Sequence, residues 1–114
     1  MKTSDFIFPT VAQNSETNGL ITDEMLSPIK SNAIFISIVH HVYNHELLLK
    51  LVAENKIFGY AFEGSDTDIN KYTGNVWSSP EVTWCTSGSM SRNAIQWVES
   101  ILAANGGEYP TRVN

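Results

Sequence analysis

Apolar residues along this chain fall in short blocks, and the spacing changes from block to block. Residues 33–42, AIFISIVHHV, place Ile34, Ile36, Ile38, Val39 and Val42 close together. β-Branched side chains lose rotamer freedom in a helix and fit a pleated strand, so a central strand covered on both faces is expected here. Directly after it, Asn44 is a good N-cap for a helix from about His45 to Glu54. Leu47, Leu48, Leu51 and Val52 lie on one face of that helix, Glu46 and Lys50 form an i,i+4 pair, and Asn55 closes it in a left-handed conformation. Ile57 to Glu63, IFGYAFE, reads as a second strand, and Gly64 to Asn75 as a polar loop.

Val76-Trp77 and Val82 to Thr86 flank Ser79-Pro80 and read as a short hairpin, with Val82, Trp84 and Thr86 on one face. Ser91 is the expected cap of a last helix, Arg92 to Ala104. Its apolar stripe is Ala94, Ile95, Val98, Ile101 and Leu102, and Gly106-Gly107 ends it. Residues 10–32 are the most polar stretch, with a turn at Asn18-Gly19, a short helical turn capped by Thr22, and a breaker at Pro28. The order strand, helix, strand, hairpin, helix predicts an α+β fold. A mostly antiparallel sheet of about four strands would carry two helices packed on one face. The competing arrangement is a winged helix in which residues 32–43 are helical, His45 to Glu54 is the recognition helix and the hairpin is the wing.

A length of 114 residues suits a single domain, residues 1–114, that buries an ordinary core. Hydrophobic residues make up 42% and charged residues 17%, which separates the chain from disordered compositions. No apolar run approaches the ~20 residues of a membrane span. The N-terminus lacks the apolar core of a signal peptide, and Cys85 is the only cysteine, so a cytoplasmic protein is expected.

The net charge of −5 is spread along the chain. Residues 1–56 hold four basic and six acidic groups, and residues 57–114 hold three and six. So few dispersed bases disfavour nucleic acid, whereas an acidic surface suits a protein partner with a basic face.

All three histidines lie in His40-His41-Val42-Tyr43-Asn44-His45-Glu46. On one unbroken helix His41 and His45 would share a face, with Glu46 as a further ligand or general base, which is the chemistry of a small metal-dependent hydrolase. A strand followed by a helix separates them, and the order matches no zinc-peptidase pattern, so no metal and no cofactor are expected. Asp66-Thr67-Asp68-Ile69-Asn70 begins like a calcium loop but continues with Lys71 where glycine is needed and Trp77 where a glutamate is needed. Cys85 has no cationic neighbour in sequence, and Ser87-Gly88-Ser89-Met90-Ser91 lacks the lysine of a phosphate loop.

The remaining candidate is a contact surface. Tyr72 and Trp77 sit among Asp66, Asp68 and Glu81, a mixture of aromatics and acids that suits a basic protein partner. These five residues are the expected partner-binding set. The corresponding function is a stoichiometric inhibitor, of the kind found among immunity proteins and phage-borne anti-defence proteins.

Overall fold

The computed structural model describes residues 1–64 and 68–107 and divides the chain into two compact units, Met1–Val82 and Thr83–Asn114. In the first unit the elements run β1 (Phe6–Ile7), α1 (Asp23–Leu26), β2 (Ile34–Ser37), α2 (His45–Ala53), β3 (Gly59–Glu63) and β4 (Val76–Ser79). A 3₁₀ turn at Ile69–Lys71 precedes the last strand. The sheet order is β1-β2-β3-β4, and every neighbouring pair is parallel. Phe35 is level with Tyr60, and Tyr60 with Val76.

The mostly antiparallel α+β sheet expected from the sequence is therefore incorrect, and the physical reason lies in α2. A helix between two strands carries the chain back to the end where the first strand began, so β2 and β3 enter the sheet in the same direction. The expected hairpin also fails. Ser79 ends β4 just before Pro80, and Val82 to Thr86 form no strand but lead into a helix. Parallel pairing of β3 with β4 is reached by residues 64–75, about the dozen residues that such a crossover needs. No winged helix is present either, because β2 is a strand where that arrangement needs a helix.

Other local expectations hold. Asn44 caps α2 by accepting from the Leu47 N–H at 3.1 Å, and its Nδ2 donates to Asp23 Oδ2 at 3.2 Å. Asn55 follows the helix with φ 55°. Replacing Asn44 by alanine removes both bonds and should cost about 1 kcal/mol in urea unfolding, with Asn44→Ser recovering most of it. Equal stabilities for Asn44→Ala and the parent would mean that the cap is not formed in solution.

The core lies between α2 and one face of the sheet. Leu48, Leu51 and Val52 pack with Phe35, Tyr60, Phe62 and Val76, joined by Leu26, Ile29, Val42, Tyr43 and Ile57. On the opposite face Ile34, Ile36 and Ala61 are half-buried and Trp77 is exposed.

The second unit is built on α3 (Ser87–Asn105). The expected start at Ser91 is too late. Thr86 is the cap, accepting from the Ser89 N–H at 3.1 Å while the Ser89 hydroxyl accepts from the Thr86 N–H at 2.9 Å. The serine cluster is thus the first turn of a helix that caps itself. Ile95, Val98, Ile101 and Leu102 are exposed, as are Trp84 and Cys85.

Candidate active-site cleft

Four parallel strands bring all their carboxyl ends to one edge, and in open α/β sheets ligands bind outside that edge. The residues just beyond or at the ends of three strands are chemically loaded here: His40 after β2, Glu63 at the end of β3 and Glu81 after β4. Together with His45, Phe62, Gly64 and Tyr72 they line a cleft of about 240 Å³.

Local turns aim these groups. The buried Ser37 hydroxyl donates to the Val39 carbonyl at 3.0 Å and accepts from the Val39 N–H at 3.2 Å, which bends the chain out of β2. His40 is then held from two sides. Its N–H donates to Gln13 Oε1 at 3.2 Å, and its Nε2 lies 3.5 Å from Glu81 Oε1. His41 takes the left-handed φ of 58°, completing the turn into α2. Glu63 is 6% exposed, and its Oε1 accepts from the Val82 N–H at 3.1 Å.

Behind the cleft runs an aromatic core. The His45 ring lies edge-on to Phe62 at 4.6 Å, Phe62 stacks on Tyr60 at 4.9 Å, and Tyr72 meets Phe62 edge-on at 5.7 Å. His45 Nδ1 is 2.8 Å from the Tyr60 hydroxyl, which is 2.8 Å from the Tyr43 hydroxyl. Burial holds the His45 pKa below its ordinary value; Glu46 acts to raise it and His40 to lower it further. Burial foremost, and the adjacent Tyr43, push the Tyr60 phenol far above its ordinary range. The imidazole is thus neutral at pH 7 and Tyr60 stays protonated.

The sign of the resulting pH effect follows from linkage. As pH falls through the ordinary histidine range, the unfolded chain takes up the proton before folded His45 does, so folding weakens with acid until the lowered pKa is passed. His45→Gln should flatten that part of a plot of stability against pH, read by urea unfolding between pH 7.5 and 5. An unchanged slope would place the titrating group elsewhere.

Of the five residues expected to form a partner surface, Tyr72 and Glu81 line the cleft. Trp77 is 70% exposed away from it, with its Nε1–H donating to Asn75 Oδ1 at 3.1 Å. Asp68 caps the 3₁₀ turn, accepting from the Asn70 N–H at 3.0 Å. Asp66 lies outside the described residues. The alternative metal set is not assembled either. His41 is exposed, Glu46 is exposed in the first turn of α2, and among the described residues no group of three His, Cys, Asp or Glu is placed to hold a metal.

The parallel sheet with a crossover helix and a polar cleft at its carboxyl edge defines one flank of a dinucleotide-type α/β fold. Residues 1–86 match the family model of the D-isomer specific 2-hydroxyacid dehydrogenase, NAD binding domain, and the chain belongs to that family. Three solved structures share the fold. An acyclic imino acid reductase, Bsp5, in complex with NADPH and D-Arg is 22% identical over 100% of this chain, with a TM-score of 0.85. A D-isomer specific 2-hydroxyacid dehydrogenase from Lactobacillus delbrueckii ssp. bulgaricus in its NAD-complexed form is 20% identical over 99%, with a TM-score of 0.78. A D-lactate dehydrogenase from Sporolactobacillus sp. is 17% identical over 99%, with a TM-score of 0.81. The chain spans 38%, 40% and 40% of those structures. A search of curated protein sequences returned no match.

Membership of a dehydrogenase family overturns the inhibitor, immunity and anti-defence function expected from composition, and with it the partner with a basic surface. Acidity and exposed aromatics were compatible with a binder, but they are equally the surface of an enzyme domain. Among the described residues no helix is long and apolar enough to cross a membrane.

The family implies a nicotinamide dinucleotide, and the residues at the cleft suit only part of one. A pyrophosphate in the cleft would meet Glu63 and Glu81. The 114 residues contain no G-x-G-x-x-G, and the order β1-β2-β3-β4 contains no reversal of the kind across which dinucleotides bind. The phosphate-binding part of such a cofactor does not fit these residues.

Proposed function

We propose that this chain is the flank of a nicotinamide-dependent oxidoreductase domain that borders the reacting end of the cofactor and the substrate. The observation that carries this is the convergence of His40, His45, Glu63, Tyr72 and Glu81 at the carboxyl edge of a parallel sheet, in a member of a dehydrogenase family. Proton exchange during reduction of a carbonyl or imine needs titratable groups in hydrogen-bond reach, and this edge supplies them. The phosphate grip then belongs to a complementary half, on the same polypeptide or another. The substrate class that suits the family is a small 2-oxo or 2-imino acid and its reduced form. Together with a lone cysteine, this chemistry suits the cytoplasm.

Energy transfer from the tryptophans to NADH or NADPH tests this. Weak saturable transfer at millimolar dinucleotide is expected, reversed by nicotinamide mononucleotide and not by AMP. Displacement by AMP alone, or no transfer at all, would contradict the assignment of this flank.

A further inference from the structure

Behind the cleft, Tyr43, Tyr60 and His45 form a hydrogen-bonded row. The two links are each 2.8 Å, Tyr60 is 1% and Tyr43 8% exposed, and the row ends at an imidazole that lines the cleft. With Nδ1 engaged by Tyr60, the second ring nitrogen of His45, Nε2, has no partner among the described residues.

Two arrangements of the hydrogens satisfy both links of the row. In one, Tyr43 donates to Tyr60, Tyr60 donates to Nδ1, and Nε2 carries the ring proton as a donor. In the other, Nδ1–H donates to Tyr60, Tyr60 donates to Tyr43, and Nε2 is an acceptor. Tyr60 both gives and receives in each, so heavy atoms need not move between them. A net passage of protons along the row is excluded, because it would leave a buried phenolate at Tyr43. The row therefore sets the direction of a hydrogen bond and conducts no proton.

We propose that His45 is the ligand-facing residue of the cleft, and that Tyr60 and Tyr43 position it so that Nε2 donates to an acceptor and accepts from a donor at the same point. Such a site suits a compound that presents a carbonyl oxygen in its oxidised form and a hydroxyl in its reduced form. This deepens the proposed function and rests on its assignment of the cleft to the substrate side.

The ring nitrogens of His45 report the arrangement directly by nitrogen NMR of the 114-residue chain at pH 7.5. The probes are cyclohexanone, which only accepts, and methylammonium chloride, which only donates. Cyclohexanone should raise the population protonated at Nε2, and methylammonium should raise the population protonated at Nδ1. In Tyr60→Phe both responses should fall to less than half, and Tyr43→Phe, which leaves the first link in place, should reduce them partially. Tyr43→Phe keeps the comparison available if Tyr60→Phe fails to fold. Insensitivity of His45 to both probes, or responses unchanged in both variants, would overturn the proposal. Neither probe contains a nucleotide, so failure here with saturable NADH binding would remove the role of His45 alone. Failure of nucleotide binding with an intact probe response would remove only the assignment to a dinucleotide enzyme.

Discussion

Phe35→Ala should destabilise the first unit by about 3–5 kcal/mol, the range for emptying a large aromatic site in a core that cannot collapse around it. Phe35 is fully buried on β2, with its ring centroid 5.0 Å from that of Tyr43 and 6.0 Å from that of Tyr60. A loss of this size is a large fraction of the ~5–15 kcal/mol that holds a domain folded. The effect should also reach the cleft, because the rings that Phe35 supports are those that hold His45. Urea unfolding measures the first consequence, and the His45 ring resonances measure the second. Trp77→Ala, at a site 70% exposed on β4, is the matched control and should change stability by less than about 1 kcal/mol. A loss below about 1 kcal/mol for Phe35→Ala would mean that β2 does not run through the core.

Gly74→Ala should cost about 2–6 kcal/mol, from two sources that add. Gly74 has φ 92°, a conformation that an L side chain adopts only under strain of roughly 1–3 kcal/mol. A Cβ there would also stand 2.7 Å from Val52 Cγ1 and 3.1 Å from the Val52 carbonyl oxygen, and overpacking of this kind costs about 1–3 kcal/mol. Val52 is a core residue of α2, and Gly74 lies two residues before β4, so the close approach seats the last crossover against the helix. Gly19→Ala separates the two sources. Gly19 has φ 64° with nothing within 4 Å of its Cβ position, so it should show the backbone strain alone. Equal losses at the two glycines, measured by denaturant midpoint, would show that the contact with Val52 is absent in solution.

Local structure was legible where a few neighbouring residues decide it. Asn44, the leucines of α2 and Asn55 specify their helix from within ten or so positions, and the caps formed as expected. Strand direction is decided over longer distances. The β-branched run at 33–42 identified β2 but overstated its length, because Ser37 bonds back to Val39 and turns the chain before the histidines. Val82 to Thr86 carries strand-like side chains, but Thr86 and Ser89 satisfy one another's backbone and side-chain groups and start a helix there. The hairpin is absent, and the pairings β1·β2, β2·β3 and β3·β4 are all parallel.

That one change decides how much of the site could be found. In an antiparallel sheet the residues after β2, at the end of β3 and after β4 would lie at alternating edges. In a parallel one His40, Glu63 and Glu81 meet. The sequence marks Tyr72 and Glu81 for a different reason, as an aromatic and an acid suited to a partner, and His45 for a metal set with His41 and Glu46 that the described residues do not bring together. Tyr43 and Tyr60 give no site signal in the sequence, because each reads as an ordinary core aromatic. Only the register that sets Tyr60 beside Phe35, and the turn that returns Tyr43 to the strand, reveal the row behind His45. The signal that was available was the strand, helix, strand order itself, which requires one edge to collect the carboxyl ends.

The most direct test of the account is a map of backbone amide shifts in the 114-residue chain as NADH and NADPH are added to millimolar concentration, where even weak contact registers. Shifts clustered on His40, His45, Phe62, Gly64, Tyr72 and Glu81, with β1 and the amino-terminal end of each strand unmoved, are the expected result. Shifts confined to other surfaces, or none at millimolar dinucleotide, would contradict a cofactor-bordering cleft at the carboxyl edge of this sheet.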